Sequence, residues 1–385
     1  MRQLELRRVA RQLNLPGFGL EQQEALHNAH VLVVGAGGLG CPALQQMAAA
    51  GIGEITVIDD DTVDITNIHR QILFGADDVG KPKVEVAAER IRALQPGIRV
   101  HTLQERLTPD NALELVHGVD VVLDGSDSFS TKYLVADAAE ATSTPLVWGT
   151  VLRFRGDVAL WHSGVNTADA RGVGLRDLFP EQPGGDFVPD CATAGVLGVT
   201  TSVIAGLMVT ELIMYLTGLA DTVGKVTSYD ALGAQLRSLH VAADPQRALV
   251  TGVDNSYNNA CAIPGRAGAG IADTSGMENA EKLLQEAHDL QRALQEGDAV
   301  GLDIREDHEV MVQPWPGVDA VLAPLSGIHR VDDVPPELFG EDVSQIVVAC
   351  ASGMRSQHFI ERFGEEFQTR GITLRNLPGG IAGLV

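Results

Sequence analysis

Three clusters of residues in this sequence have the types and spacing that chemistry needs. In the first, the apolar run Val31–Val34 ends in Gly35-Ala-Gly-Gly-Leu-Gly40. Glycines such as Gly35, Gly37, Gly38 and Gly40 at a strand-to-helix turn let backbone amides approach a phosphate at the helix N-terminus. Asp59 follows 24 residues after Gly35, at the end of the next apolar run, where an acidic side chain takes ribose hydroxyls. The second cluster is Asp59-Asp-Asp-Thr-Val-Asp-Ile-Thr-Asn67-Ile-His-Arg70-Gln71, then Gly80-Lys-Pro-Lys83, then Asp124-Gly-Ser-Asp127. A triphosphate under attack needs donors and cations around its departing pyrophosphate, and Arg70 and Lys83 can supply them. Asp127 can hold a Mg²⁺ that bridges phosphates. A nicotinamide oxidoreductase would share the glycine turn and Asp59 but would leave Arg70 and Lys83 without a task. The third cluster is a pair of thiols. Cys350 ends an apolar run and is followed by Gly353 and Arg355, so loop amides, a helix N-terminus and a guanidinium would stabilise a thiolate or persulfide there. Cys191, in Pro189-Asp-Cys-Ala-Thr-Ala-Gly, precedes a long apolar helix; it is either a nucleophile with a lowered pKa or a small buried cap.

The elements that must position these residues are an α/β set. His30–Val34, Glu54–Ile58, Ile98–Leu103, Val119–Leu123 and Pro145–Gly149 read as strands, and Gly40–Ala50 and Lys83–Leu94 as helices between them. That alternation predicts a Rossmann-like doubly wound parallel sheet. Asp157–His162, Lys225–Tyr229 and Gln235–Val241 read as half-exposed strands extending it antiparallel. Residues 251–277 lose periodicity and are rich in Gly, Ala, Asn and Ser, the composition of a linker. Periodicity returns at Glu278–Leu294, followed by two apolar strands and a helix after Ser356, a smaller α/β domain. The expected division is a first domain over 1–250, a linker over 251–277 and a second domain over 278–385.

Composition narrows the function. A chain of 385 residues exceeds what one core usually spans. A formal net charge of −23 without a basic patch argues against nucleic-acid and anionic-membrane partners. Four cysteines, Cys41, Cys191, Cys261 and Cys350, are too scattered for a disulfide framework and fit a reducing cytoplasm. The N-terminus mixes charges and lacks a signal-peptide core. Val196–Leu219 is apolar but carries Glu211, three threonines and a serine, so a buried helix is expected rather than a membrane span.

In this order, GAGGLG, D-D-D-T-V-x-x-x-N-x-x-R-Q, G-K-P-K and D-x-x-D resemble the adenylating enzymes related to the ubiquitin-activating enzyme, in their MoeB/ThiF branch. The resemblance runs from about Arg8 to Val241 and includes R-x-x-R-Q at Arg8–Gln12. It implies ATP and Mg²⁺ at Gly37, Asp59, Asn67, Arg70, Gln71, Lys83 and Asp127. It also implies a homodimer in which Arg11 reaches the neighbour's ATP. The implied substrate is the C-terminal Gly-Gly carboxylate of a ubiquitin-like sulfur carrier protein. That carboxylate is ionised at neutral pH, its pKa being roughly 3.5, so no general base is required. Many relatives hold a structural zinc with two C-x-x-C pairs, near Asp169–Val173 and after the last strand. Neither pair exists here; no zinc is expected, and packing is expected to hold those regions. Ser128 replaces the asparagine usual after the Mg²⁺ aspartate.

From about Glu278 to Val385 the chain resembles rhodaneses, in the loop Cys350–Arg355 and in Leu302-Asp-Ile-Arg305-Glu. A phosphatase cup has five residues between cysteine and arginine; four stand here, a smaller cup that suits sulfur. An adenylating half beside a rhodanese-like half implies sulfur transfer from a Cys350 persulfide, loaded by a cysteine desulfurase or another donor. The product would be a thiocarboxylate for molybdopterin, thiamine or tRNA thiolation. A non-catalytic scaffold that binds the carrier, and an NAD-dependent oxidoreductase, are the competing readings.

Overall fold

The structure is a computed structural model describing residues 3–165, 171–182, 195–257, 274–340 and 343–384. The chain divides into two compact units, Met1–Cys261 and Ala262–Val385.

The first unit opens with α1 (Gln3–Arg8) and α2 (Leu20–Asn28) and continues β1 (His30–Val34), α3 (Gly40–Ala50), β2 (Glu54–Ile58), α4 (Lys83–Leu94) and β3 (Arg99–Leu103). Then come α5 (Pro109–His117), β4 (Val121–Asp124), α6 (Phe129–Thr142) and β5 (Leu146–Leu152). These five strands pair in parallel in the order β3-β2-β1-β4-β5. The central runs are apolar throughout because both faces are covered. Val31, Val33, Ile55 and Val57 face the core under α3 and α4, whereas Leu32, Val34 and Val122 face the core under α5 and α6. The two-residue alternation of a strand thus feeds two hydrophobic layers from one sequence.

After β5 the chain reverses through β6 (Arg155–Ser163), with the short β7 (Gly172–Val173) on its edge, and α7 (Leu175–Leu178). The helix α8 (Gly198–Thr217) precedes β8 (Lys225–Asp230) and β9 (Gln235–His240), which complete the antiparallel extension. By length and composition α8 could cross a membrane. It packs instead against α2, α3, β5 and β6, burying Ile204, Ala205, Met208, Val209 and Leu212.

The regions expected to be held by packing are joined by charge. Arg247, beyond β9, donates to both oxygens of Asp177 at 3.0 Å and to both oxygens of Glu140 at 2.9 and 2.8 Å. Arg171 donates to Asp177 at 2.9 Å and to the Asp244 carbonyl. Asp169 lies outside the described residues. Farther on, the Val250 amide donates to Glu140 and the Tyr257 hydroxyl to Asp137, which also receives two bonds from Arg176. Buried carboxylates on α6 and α7 demand such partners, because a charge out of water is costly unless paired. Burial alone would raise the Asp177 carboxyl, but bonds from Arg247 and from the Gly174 and Asp244 amides outweigh it and hold it at about 2. Glu140 is lowered too, by Arg247, Ser163 and the Val250 amide against its burial.

Arg247→Ala leaves two buried carboxylates short of a partner and is expected to cost about 3–5 kcal/mol, read as a lower urea midpoint. The pH dependence has a definite sign. A carboxyl lowered by folding adds stability above its ordinary pKa, so Asp177 contributes fully above about pH 4 and loses its contribution as pH falls toward 2. The wild type should therefore lose stability across that window more steeply than Arg247→Ala; parallel curves would show the cluster to be energetically idle.

The second unit comprises α9 (Thr274–Glu296), β10 (Val300–Asp303), α10 (Asp307–Val312), β11 (Val321–Leu322), β12 (Gln345–Ala349), α11 (Met354–Thr369) and β13 (Thr373–Asn376). Its four strands are parallel in the order β11-β10-β12-β13. Phe359, Phe363 and Phe367, one helical turn apart on α11, pack into the core with Leu302, Ile346 and Val348. Asp303 and Arg305 form a buried pair, two guanidinium nitrogens on the carboxylate, and a third nitrogen donates to the Gln313 carbonyl at 2.8 Å. The Asp-Ile-Arg element thus fixes the turn from β10 into α10.

Candidate functional site

In the first unit the strand order reverses at β1, whose neighbours β2 and β4 leave a crevice at their carboxyl ends. The glycine turn fills it. Gly35 has φ +90° and donates to the Ile58 carbonyl, binding the turn to β2. A Cβ on Gly40 would lie 1.9 Å from the Gly35 carbonyl oxygen, so only glycine permits the turn to fold back into α3. Gly125, just after β4, packs against both. By contrast, a Cβ on Gly37 would meet nothing nearer than Gln71 Nε2 at 3.9 Å and the Gly125 carbonyl at 4.0 Å. The space above Gly37 is open, and no side chain caps the first turn of α3. Free amides at a helix N-terminus beside open space suit a phosphate.

The other expected residues gather around this turn. Asp59 accepts from the Ala36 amide at 2.7 Å and from the Asp61 amide at 2.8 Å, tying the glycine turn to the end of β2. Burial raises its carboxyl above the usual range, against the pull of Lys83 and the two amides. The aliphatic part of Arg70 lies against Gly38, and its Nη1 donates to the Thr66 carbonyl at 3.1 Å and meets His69 Nε2 at 2.9 Å. Lys83 is buried at the start of α4, with its ammonium 2.9 Å from Asp61. Gln71 is buried, and its Oε1 has no hydrogen-bond partner among the described residues. Asn67 accepts the Asp64 amide on its side chain, while its carbonyl accepts the Arg70 and Gln71 amides. It holds the block that carries both.

Asp127 is exposed on the loop after β4, and its carboxylate has no partner among the described residues. The open room over Gly37, the orphaned Gln71 oxygen, two cations and a free carboxylate fit a magnesium-bound triphosphate. Asp59, Asp60 and Asp61 also bring carboxylate oxygens within 4.8 Å of one another. Each is engaged, however: Asp59 with amides, Asp60 with Arg106 at 3.3 Å, Asp61 with Lys83. Arg11, in the turn after α1, is exposed. Cys191 and Cys261 lie outside the described residues. Cys41 is buried in α3, where burial pushes its thiol up to about 12 and leaves it inert.

Two neighbours of this site have no signal in the motifs. Lys132 on α6 is buried and donates to Asp124 at 3.2 Å and to the Gly149 carbonyl at 2.6 Å; Asp124 in turn accepts from the Ser126 amide and hydroxyl. This pair shapes the loop that presents Asp127. Its only trace in the sequence is the single basic residue of the helix FSTKYLVADAAEAT. Thr201, from α8, places its methyl against Gly38. Ser128 caps α6 by accepting the Thr131 amide at 3.1 Å.

In the second unit Cys350 is fully buried at the end of β12. Its Sγ accepts the Gly353 amide at 3.1 Å and lies 3.4 Å from the Ser356 hydroxyl. Gly353, with φ +88°, turns the loop into α11. Arg355 is not bonded to the sulfur. Its two terminal nitrogens grip both oxygens of Glu309 on α10, at 2.9 and 2.6 Å.

Known proteins are similar to this chain in sequence and in fold. The ThiF family pattern matches residues 9–250. The Thermus thermophilus protein named sulfur carrier protein adenylyltransferase is 45% identical over 243 residues, covering 63% of this chain and 89% of that one. Mycobacterium tuberculosis MoeZ, named an adenylyltransferase/sulfurtransferase, is 42% identical over 260 residues, 67% of this chain and 66% of its own, so the match spans just under two thirds of that relative's length. The Sus scrofa protein named adenylyltransferase and sulfurtransferase MOCS3 is 33% identical over 402 aligned residues, covering 98% of this chain and 85% of that one. Among solved structures, E. coli MccB with ATP shares the fold, with a TM-score of 0.53 at 22% identity over 64% of this chain and 74% of that chain. With its glycine turn, Arg70, Lys83 and Asp127 all inside the matched span, the chain belongs to the ThiF family.

Proposed function

We propose that this chain uses ATP to adenylate the C-terminal carboxylate of a ubiquitin-like sulfur carrier protein and then transfers sulfur to it from Cys350. The observation that carries the first half is the convergence of the open glycine turn, the unpartnered Gln71 oxygen, Arg70 and Lys83 at one crevice. The incoming carboxylate is already ionised, so the protein's task is to align it with the α-phosphorus and to neutralise charge on the departing pyrophosphate. Arg70 and Lys83 supply that charge; Lys83 is held in reserve on Asp61. Asp127 would hold Mg²⁺, which when bound spreads positive charge over phosphate oxygens. Arg11, exposed on its own chain, is assigned to the nucleotide of a second copy, which makes the working form a homodimer.

For the second half, the Cys350 thiolate takes the sulfane sulfur of a donor such as a cysteine desulfurase. The terminal sulfur of the resulting persulfide attacks the acyl adenylate and AMP leaves. A second thiol then opens the acyl disulfide, releasing the thiocarboxylate; Cys191 is the candidate in this chain. Thiolate and persulfide chemistry of this kind belongs to a reducing cytoplasm.

The test is to incubate the protein with ATP, Mg²⁺ and each candidate Gly-Gly carrier and to weigh the carrier. A mass corresponding to the adenylate without a sulfur donor, and to the thiocarboxylate with one, is expected for the cognate carrier. If no carrier gains either mass and none drives exchange of pyrophosphate into ATP, the proposal fails.

A further inference from the structure

Resting on the reading of Cys350 as a sulfur carrier, we propose that Glu309 determines its donor class. It selects a persulfide borne on another protein and rejects small dianionic sulfane donors such as thiosulfate. A dianion approaching a buried thiolate meets repulsion unless a cation waits beside the sulfur. Arg355, five residues after Cys350, is the cation that the loop supplies, and its terminal nitrogens are committed to Glu309. The hydrogen-bonded Glu309 carboxylate raises the guanidinium further above its ordinary value, so the pair stays ionised and closed. Around it stand more acids. Glu306, one turn earlier, is held by the Ser326 amide and hydroxyl, and Asp307 is exposed. The buried Arg305 is already consumed by Asp303 and the Gln313 carbonyl. His308 is exposed on the same turn. No guanidinium on this loop or on α10 remains uncommitted among the described residues.

The surface that frames the ion pair has the opposite character. Met354, immediately before Arg355, is 61% exposed, and Met311, two residues after Glu309, is 81% exposed. Flexible thioether side chains of this kind adapt to a protein surface and offer nothing to a small hydrated dianion. A protein donor can cover them and deliver its terminal sulfur into the loop.

Both loading reactions balance without an added oxidant. With a protein persulfide, the Cys350 thiolate attacks the terminal sulfur, the donor's sulfur–sulfur bond breaks, and the donor cysteine leaves as a thiolate. With thiosulfate the same attack expels sulfite. The two differ in the charge that must be brought to the loop, and Glu309 acts on that difference.

The experiment uses the full chain and two probes, inorganic thiosulfate and a cysteine desulfurase preloaded with persulfide from cysteine, following Cys350 persulfide by mass. Glu309→Gln frees the guanidinium yet keeps an amide oxygen to accept the Glu306 amide, so the start of α10 stays capped. The ratio of thiosulfate rate to protein-donor rate should rise roughly tenfold or more, and the gain should shrink as salt increases. Adding Arg355→Gln should return the ratio toward the wild type. A ratio unmoved by Glu309→Gln, or one that rises equally without the arginine, overturns the inference. If neither probe loads Cys350 in the wild type, the sulfur-carrying reading falls, and this inference with it.

Discussion

Asp127→Ala is expected to lower carrier-dependent exchange of labelled pyrophosphate into ATP by about 10²–10³-fold, the usual cost of losing one contribution to the stabilisation of developing charge, here that of the Mg²⁺ Asp127 would hold. The substitution is informative because Asp127 is exposed and its carboxylate has no partner among the described residues. A surface change of this sort moves stability by only about 0.5 kcal/mol. A large loss of exchange with an unshifted unfolding midpoint therefore assigns the loss to catalysis. Lys83→Ala would be less readable, since it strips a buried ammonium from Asp61 and disturbs the start of α4 as well. Exchange that survives Asp127→Ala at wild-type level would refute the placement of magnesium on this loop. Exchange absent from the wild type would favour a scaffold that binds the carrier without activating it.

Cys350→Ala should abolish persulfide formation from every donor while carrier-dependent pyrophosphate exchange continues, because the glycine turn and its cations lie in the other unit. Alanine leaves the Gly353 amide without its sulfur acceptor, which costs about 1–3 kcal/mol. Cys350→Ser restores an acceptor at nearly the same place and is the cleaner variant. Both should be equally devoid of persulfide although they differ in stability. A persulfide that persists on either chain would move the sulfur site to another cysteine, and Cys191 would be the first to examine.

The legible parts of this fold are those written in contiguous residues. Val31–Val34 and Val121–Leu123 announce strands buried on both faces, and Gly35–Gly40 announces its own turn, because the constraint and the residues meeting it are neighbours. Helix α9 starts at Thr274, four residues before the periodicity that marks it, since polar Thr274 and Ser275 give the pattern no apolar anchor. Partnerships across sequence distance leave no such mark. Arg247 and Glu140 are 107 residues apart, and Arg355 and Glu309 are 46 apart. Read alone, Arg355 is a cation offered to the sulfur; only the folded chain shows that α10 brings an acid to claim it. The pairing of Lys132 is hidden for the same reason, its two acceptors coming from the end of β4 and the middle of β5.

The charged cluster beyond β9 also says where the first unit can be cut. By strand topology it is finished at His240, yet Arg247, Val250 and Tyr257 still reach back to Glu140, Asp177 and Asp137. A fragment trimmed to its last strand would keep every element of the sheet yet take Arg247 from Glu140 and Asp177, leaving Asp177 only Arg171, and would take the Tyr257 hydroxyl from Asp137, which keeps Arg176. For expression or crystallisation of this half alone, charge balance requires the chain to run past Arg247, and the last hydrogen bond back to α6 comes from Tyr257, seventeen residues past the end of the sheet.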